Sequence, residues 1–98
     1  MLEEYQSLEL SDNKEDHRFE LVIDGETAFI EYLETPGPIA LEHTEVPNTL
    51  GGKGVAAALV EKTFLYLEGQ GRKIVPHCPY IQAFLKRHPE WDRIVEKG

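Results

Sequence analysis

The sequence predicts an α+β fold in which an antiparallel β-meander is followed by a helix, a parallel strand and a C-terminal helix. Three observations support this prediction. Apolar side chains alternate with polar ones in the first half of the chain, they recur every three or four residues after Gly54, and a short apolar segment, RKIVPHC, follows that helical pattern. With 98 residues, 41% of them hydrophobic, the chain is expected to form one domain over residues 1–98.

The meander is predicted from three apolar segments. Residues 18–24 alternate buried and exposed side chains, and Asp24-Gly25 is typical of a two-residue hairpin turn. Residues 26–34 then return as a strand that is expected to be covered on both sides, and residues 39–46 form the third strand. An edge strand before the meander is expected from three apolar residues: Tyr5, Leu8 and Leu10.

The second half of the chain predicts helix, strand and helix. Residues 53–68 carry an apolar stripe of helical period, and Gly69 or Gly71 is expected to end this helix. Residues 72–78 should form a strand parallel to the third one, because a helix separates the two. Pro79 suits the first turn of the last helix. Its inward-facing residues are predicted to be Tyr80, Ile81, Phe84, Leu85 and His88.

Composition and charge exclude several classes of function. The formal net charge is −8, so the chain lacks the dense basic surface that nucleic acids require. No apolar run approaches the length of a membrane span, and the N-terminal residues lack the features of a secretory signal. A single cysteine, Cys78, excludes an internal disulfide, so a cytoplasmic setting is expected. The four histidines and Cys78 lack the spacing of metal ligands.

The negative charge is concentrated in the first half of the chain. Residues 1–50 hold thirteen acidic and two basic residues, a charge of −11, whereas residues 51–98 carry +3. This asymmetry fits either solvated strand faces or an N-terminal half that attracts a cationic partner and a C-terminal half that meets an anionic ligand.

A glycine-rich loop, with Gly51, Gly52 and Gly54, leads into the first predicted helix. Such a loop exposes backbone N–H groups and lets a bulky anion approach, although a tight strand-to-helix turn would also use one or two glycines. A Walker-type loop is excluded, because Pro47 stands where its first glycine would be and Gly54 where its Ser or Thr would be. Residues 52–57 fit the dinucleotide pattern G-x-G-x-x-A, but the acidic residue that this pattern needs after the next strand is missing.

A longer ordered set of motifs extends from about residue 17 to residue 91. It contains EVP at residues 45–47, GKGVA at residues 52–56, VPHCPY at residues 75–80 and RHPE at residues 87–90. Together these motifs resemble the GNAT superfamily of N-acetyltransferases, and specifically its minimal single-domain branch.

The resemblance implies that acetyl-CoA is the cofactor and that a primary amine, cationic before it reacts, accepts the acetyl group. The pantetheine arm would lie along Thr44, Glu45 and Val46, with the thioester in a wedge between this strand and residues 72–78. A backbone N–H near Val46 would polarise the thioester carbonyl. The diphosphate would lie on the amides of six residues: Gly51, Gly52, Lys53, Gly54, Val55 and Ala56.

The last helix carries further candidates for cofactor contacts, and the sequence departs from the family pattern there. Phe84 either belongs to the core or flanks the pantetheine arm, and Lys86 and Arg87 either form a solvated helix face or meet the 3′-phosphate of CoA. Larger members carry a tyrosine acid in this helix, where this sequence has Phe84-Leu85, so either Tyr80 substitutes or no acid is used. At the start of the loop, Gly51 replaces the usual Arg or Gln.

The candidate catalytic residues are Cys78, Tyr80 and His43. Cys78 packs in the core, lines the thioester pocket, or accepts acetyl as a nucleophile, since a helix start favours a thiolate. His77 is not necessarily its base, because neighbours in a strand point to opposite faces. His43 is either a base near the wedge or a hydrogen-bonded sheet residue, and Glu42 and Glu45 either attract an amine or are merely solvated.

Two functions remain open at this level. The first is an N-acetyltransferase acting on a polyamine, a lysine side chain or a peptide amine. The second is a CoA- or acyl-CoA-binding module without turnover, which the missing helix tyrosine suggests.

Overall fold

The computed structural model describes residues 3–97, so residues 1, 2 and 98 of the predicted domain lie outside the described part. The elements in this part are α1 (Glu3–Gln6), β1 (Ser11–Asn13), β2 (Arg18–Ile23), β3 (Glu26–Glu34), β4 (Ile39–Glu45), α2 (Val55–Gly69), β5 (Ile74–Pro76) and α3 (Pro79–Arg87), with 3-10 helices at Asn48–Leu50 and Pro89–Ile94.

The five strands form one sheet in the order β1-β2-β3-β4-β5. Neighbouring strands are antiparallel from β1 to β4, whereas β5 is parallel to β4. Helix α2 lies in the connection between the two parallel strands, β4 and β5. The predicted α+β fold, a meander followed by helix, parallel strand and helix, is therefore confirmed.

Helices α2 and α3 pack together on one face of the sheet. The ring of Phe64 in α2 lies 5.7 Å from the ring of Phe84 in α3, and both rings are buried with the inward side chains of the strands. On the opposite face, Val22 and Leu33 are 53% and 56% exposed. The prediction that residues 26–34 are covered on both sides is therefore wrong, because an open sheet face can carry scattered apolar side chains.

The N-terminal segment differs from the prediction as well. Tyr5 lies in helix α1 rather than in an edge strand, and the edge strand is the polar segment Ser11–Asn13. Tyr5 is only 5% exposed, so its apolar character reflects the packing of a helix against the core. In this strand Asp12 pairs with the buried Phe19, and its carboxylate accepts hydrogen bonds from the hydroxyls of Tyr32 and Tyr66, so a polar residue takes the inward position and the apolar alternation of a strand is missing.

Glycines set both ends of α2. The helix begins at Val55, two residues later than predicted, because Gly54 has a left-handed backbone with φ of 75°. At the other end the amides of Gly71 and Arg72 donate to the carbonyls of Glu68 and Leu67, and Gly71 has φ of 70°. These two hydrogen bonds, together with the left-handed glycine, form the Schellman motif that ends the helix.

Strand β4 contains a β-bulge at Glu42. Glu31 of β3 pairs with His43, whereas Tyr32, the next residue, pairs with Leu41. The extra residue bends the strand near its centre. Beyond the bulge, Thr44 pairs with the buried Ile30 and so faces the helices.

Candidate functional site

Strands β4 and β5 separate after only three paired residues. The pairing begins at Ile39 with Ile74 and ends at Leu41 with Pro76. The Leu41 carbonyl accepts the amides of both His77 and Cys78 at 3.0 Å, which ties the start of α3 to β4. In the described residues no strand pairs with the β5-facing edge of β4 beyond this point, so a wedge opens there.

The predicted pantetheine-contacting residues lie along this open edge. Thr44 and Glu45 end β4, and Val46 follows before Pro47 starts the turn to the glycine loop. Thr44 faces the helices, whereas Glu45 pairs with Phe29 and faces the open side. The free backbone of this edge is suited to pairing with an extended amide-containing chain.

Cys78 closes the wedge on its helix side. Its Sγ atom lies 3.3 Å from the Thr44 hydroxyl, within hydrogen-bonding distance for sulfur, and the residue is 3% exposed. It is the N-cap residue of α3 and has an extended backbone. Within residues 3–97 no imidazole or carboxylate forms a hydrogen bond with this thiol, so its hydrogen-bonding partner is a hydroxyl and not a base.

His77 is directed away from Cys78. Its Nδ1 atom lies 2.5 Å from the carboxylate of Glu42, the bulge residue, and its side chain is 58% exposed. This pair stands at the mouth of the wedge, next to the point where β4 and β5 separate. The carboxylate fixes the orientation of the imidazole.

The glycine loop begins at a 3-10 helix, Asn48–Leu50. The Gly51 amide donates to the Asn48 carbonyl at 3.0 Å, and a Cβ atom on Gly51 would lie only 3.2 Å from the same oxygen. This close approach favours glycine at the position where the resemblance leads one to expect Arg or Gln. Gly52, with φ of 75°, has open space where its Cβ would be.

The amides at the head of α2 lack protein acceptors. Within residues 3–97 the first helical hydrogen bond runs from Ala58 to the Gly54 carbonyl at 3.1 Å, and the amides of residues 52–57 have no acceptor in the loop or in a capping side chain. Lys53 is exposed beside them. Unpaired amides, the positive end of the helix dipole and a lysine form a cradle suited to an anion.

Tyr80 lies in the first turn of α3 and is 37% exposed, so the prediction that it faces inward is wrong. It directly follows Pro79 at the helix start. Burial of its hydroxyl raises the pKa of Tyr80, and the charge of Arg87 partly offsets this. The phenol therefore stays protonated at neutral pH and is able to donate a proton.

The other predicted site residues occupy different places. Phe84 is 6% exposed and packs between Phe64 and His88 in the core. Arg87 is exposed in the last turn of α3, two turns beyond Tyr80. His43 faces the open side of the sheet, with a side chain that is 54% exposed and Nε2 4.0 Å from Glu45. The contacts of these residues with a cofactor or acceptor stay predictions.

The sequence did not reveal two features of the site. Tyr5 donates a hydrogen bond from its hydroxyl to the carbonyl of Lys53 in the loop, and the Glu42–His77 pair forms because β4 bulges. Both depend on contacts between residues far apart in the chain, and neither leaves a periodic pattern. The only sequence signal was the apolar position of Tyr5.

Within residues 3–97, no helix has the length and apolar character needed to cross a bilayer. In the same residues, no group of three or more His, Cys, Asp or Glu side chains is arranged to hold a metal ion.

Comparisons with known proteins agree with this geometry. The family model for GCN5-related N-acetyl-transferases matches residues 18–94, which include the whole sheet from β2 onward, the glycine loop and α3. Protein NATD1 of Xenopus tropicalis is 33% identical over 51 residues, which cover 52% of this chain and 47% of that protein. Protein NATD1 of Bos taurus is also 33% identical over 51 residues, with 52% and 45% covered.

The chain thus spans about half the length of the curated relatives it matches. The family match is much longer, extending over most of the chain and over all the elements that form the wedge and the loop. The resemblance in the sequence is confirmed, and this chain belongs to the GCN5-related N-acetyltransferase family.

Proposed function

We propose that the protein binds acetyl-CoA and transfers its acetyl group to a cationic primary amine. The observation that carries this proposal is the row of unpaired amides at residues 52–57 next to the unpaired edge of β4. One ligand with a diphosphate joined to a flexible amide-containing arm would satisfy both. Coenzyme A is built in this way, and acetyl transfer is the reaction for which the family is named.

The diphosphate of acetyl-CoA lies on the loop amides in this proposal. Gly51 contributes backbone only, so Lys53 is the one loop side chain that adds positive charge. The pantetheine arm extends along Thr44, Glu45 and Val46, and the thioester lies near Cys78. The arm would fill the backbone positions that β5 leaves unpaired.

The transfer needs a neutral amine, a polarised carbonyl and a route for protons. The ammonium group first loses one proton to water, and the neutral nitrogen then attacks the thioester carbon. A C–N bond forms, the C–S bond breaks, and the nitrogen loses its second proton to water. A backbone N–H on the free edge near Val46 stabilises the oxyanion. In this proposal Tyr80, a protonated phenol at the start of α3, gives a proton to the leaving CoA thiolate and regains one from water.

The acceptor side of the wedge is acidic. Glu45 and Glu31 face the open side of the sheet beside His43, and Glu42 stands at the wedge mouth with His77. Carboxylates at this face favour an approaching ammonium group by Coulomb attraction. A polyamine or a lysine-containing peptide therefore fits this face better than an anionic acceptor.

We assign Cys78 to the wall of the thioester pocket. Its thiol is buried against a neutral hydroxyl, whereas an activated cysteine sits beside a base or a cation with its sulfur accessible. Direct attack of the amine on the thioester then needs no acetyl-cysteine intermediate.

A second candidate is an acyl-CoA-binding module without turnover. The core position of Phe84, where larger family members carry a tyrosine acid, favours this alternative. The two candidates share the cofactor site and differ only in the acceptor step.

The cofactor is tested by thermal unfolding with acetyl-CoA, with AMP and NAD as comparison ligands. Acetyl-CoA at about 100 times its Kd should stabilise the fold by about 2.7 kcal/mol. An unmoved Tm at saturating acetyl-CoA would overturn the proposal. Steady acetyl transfer to polyamines or lysine peptides supports the enzyme, while binding without transfer to any amine supports the module.

A further inference from the structure

A long-range hydrogen bond joins the N-terminal helix to the glycine loop. The Tyr5 hydroxyl donates to the carbonyl oxygen of Lys53 at 2.8 Å, across 48 residues of sequence. The Tyr5 ring is 5% exposed and belongs to the core, so its position is fixed by packing. A second bond, from Lys62 in α2 to the Gln6 carbonyl at 3.2 Å, ties the same helix to α2.

The surroundings of Tyr5 keep its hydroxyl in the donating form. Helix α1, the end of β2 and the loop surround a cleft of about 780 Å³, and Glu4, Asp24 and Lys53 are among its lining residues. Burial, together with the nearby carboxylates of Glu4 and Asp24, raises the pKa of Tyr5. The phenol therefore carries its proton throughout the neutral range.

The bond determines the direction of one peptide group. In a planar trans peptide the C=O and N–H point in opposite directions. Because the Lys53 oxygen points at Tyr5, the Gly54 N–H points away from α1. This N–H is one of the unpaired amides at the head of α2.

The same peptide group has little else to hold it. It joins Lys53 to Gly54, whose φ is 75°, and a flip would change φ at this glycine, which adopts either sign of φ at little cost. Within residues 3–97, the Tyr5 hydroxyl is the donor that reaches the Lys53 oxygen. A flip of the peptide would replace the N–H by a carbonyl oxygen and so present a negative partial charge to an anion.

We infer that Tyr5 is a positioning residue for the diphosphate of CoA: its hydroxyl holds the Lys53 carbonyl away from the anion and aims the Gly54 amide toward it. This inference rests on the proposed function, since it concerns the same loop. Tyr5 touches no reacting atom in this role and acts only through the loop.

The test compares Tyr5→Phe with Tyr32→Phe, a control that also removes one hydroxyl from a buried ring. Tyr32 is 3% exposed and donates to Asp12 at 2.6 Å, on the β1 side of the sheet. Each protein is titrated with CoA by calorimetry, and with S-acetylpantetheine, which lacks the diphosphate, by NMR, which detects weak binding. Urea unfolding reports the stability of each variant.

Tyr5→Phe should weaken CoA binding by about two- to tenfold, the equivalent of one ordinary hydrogen bond, and leave S-acetylpantetheine binding unchanged. Tyr32→Phe should bind both ligands as the wild type does, although it is less stable. In the free protein, the NMR signal of the Gly54 amide should shift or broaden in Tyr5→Phe and stay in place in Tyr32→Phe, because only the first variant releases the peptide.

Two outcomes would overturn the inference alone. One is CoA affinity in Tyr5→Phe equal to that of the wild type, with the Gly54 signal unmoved. The other is an equal loss of affinity for CoA and S-acetylpantetheine, which shows a general loss of structure. A wild-type protein that binds no CoA at all overturns the proposed function itself, and this result is distinct from both.

Discussion

The Thr44 hydroxyl and the Cys78 thiol lie 3.3 Å apart where β4 and β5 separate, and they close the helix side of the wedge together. The contact joins the open edge of one strand to the N-cap of α3. It places a small polar pair where the thioester of the proposed cofactor would arrive. Both side chains are consequently expected to influence cofactor fit more than bond-making.

The first prediction concerns Cys78. Cys78→Ala should retain acetyl transfer, because a direct attack needs no thiol, and should lose about 1 kcal/mol of unfolding free energy from the small cavity. Steady-state rates and urea unfolding measure the two effects. Thr44→Val is the companion variant, since it removes the hydroxyl and keeps the volume. Loss of transfer in Cys78→Ala with CoA binding intact, together with acetylated wild-type protein in intact-mass spectra, would establish a nucleophile instead.

The second prediction uses two glycines of nearly the same conformation at opposite ends of α2. Gly52 and Gly71 have φ of 75° and 70°, and a Cβ atom would meet nothing within 4 Å at either site. Replacing either by Ala should destabilise the fold by a similar amount, about 1–2 kcal/mol. Only Gly52→Ala should also weaken CoA binding, by roughly tenfold, because its Cβ would stand where the proposed diphosphate meets the amides. Equal affinities of the two variants for CoA would contradict the loop site.

The third prediction concerns pH and Tyr32. Burial and the hydrogen bond to Asp12 raise the pKa of Tyr32 above its ordinary value of 10.0. Folding therefore favours the protonated phenol, so its stabilising contribution is present below pH 10 and is lost as the pH rises beyond it. Tyr32→Phe should cost about 1.5–3 kcal/mol at neutral pH, as expected for a hydrogen bond to a charged group. Urea unfolding up to alkaline pH should show the difference from the wild type shrinking; a constant difference would disprove the linkage.

The fourth prediction concerns an ion pair whose contribution to stability is lost at acid pH and not at alkaline pH. The Arg93 guanidinium donates to both oxygens of Glu68, at 2.5 and 3.0 Å, and holds the pKa of Glu68 below its ordinary value of 4.5. Its contribution is present above that value and is lost as the pH falls through the lowered pKa. Glu68→Gln should therefore be less stable than the wild type at neutral pH, with the gap closing in acid. Urea titrations from neutral to acid pH measure the gap, and one that widens in acid would argue against the pairing.

The fifth prediction concerns the acceptor. Glu45→Gln should raise the KM for a polyamine or a lysine peptide, and the effect should fade at high salt, because the attraction is a screened Coulomb interaction. Glu9→Gln, an exposed acid just before β1 at the far edge of the sheet, is the matched control and should change little. Initial rates at two ionic strengths separate the variants. Equal KM values for the two variants would show that the acidic face takes no part in binding the acceptor.

The sequence predicts those parts of the fold that depend on local pattern. The period of two in β2, the Asp24-Gly25 turn with both φ angles positive, and the helical stripe around Phe64 are each set by neighbours within a few residues. The open face was missed because Phe29 and Leu33 are apolar whether or not a layer covers them. Arg18 lies 4.4 Å over the Phe29 ring and covers it in place of a second layer.

The site was predictable to a similar extent. Three glycines before a helix indicated the loop, and the order in which several motifs follow one another along the chain indicated the family. The hydrogen bond from Tyr5 to Lys53 and the pairing of Glu42 with His77 arise only when distant segments meet, so no spacing along the chain encodes them.

The bulge at Glu42 decides which side chain stands opposite the thiol. In a regular strand Leu41 and His43 would share a face, so His43 would face the helices and Thr44 the open side. Because the bulge takes up one residue, His43 pairs with Glu31 and Thr44 with Ile30, so a hydroxyl and not an imidazole lies beside Cys78. A change that straightened this strand without shortening it would set the imidazole against the thiol and assemble the beginnings of a cysteine–histidine pair.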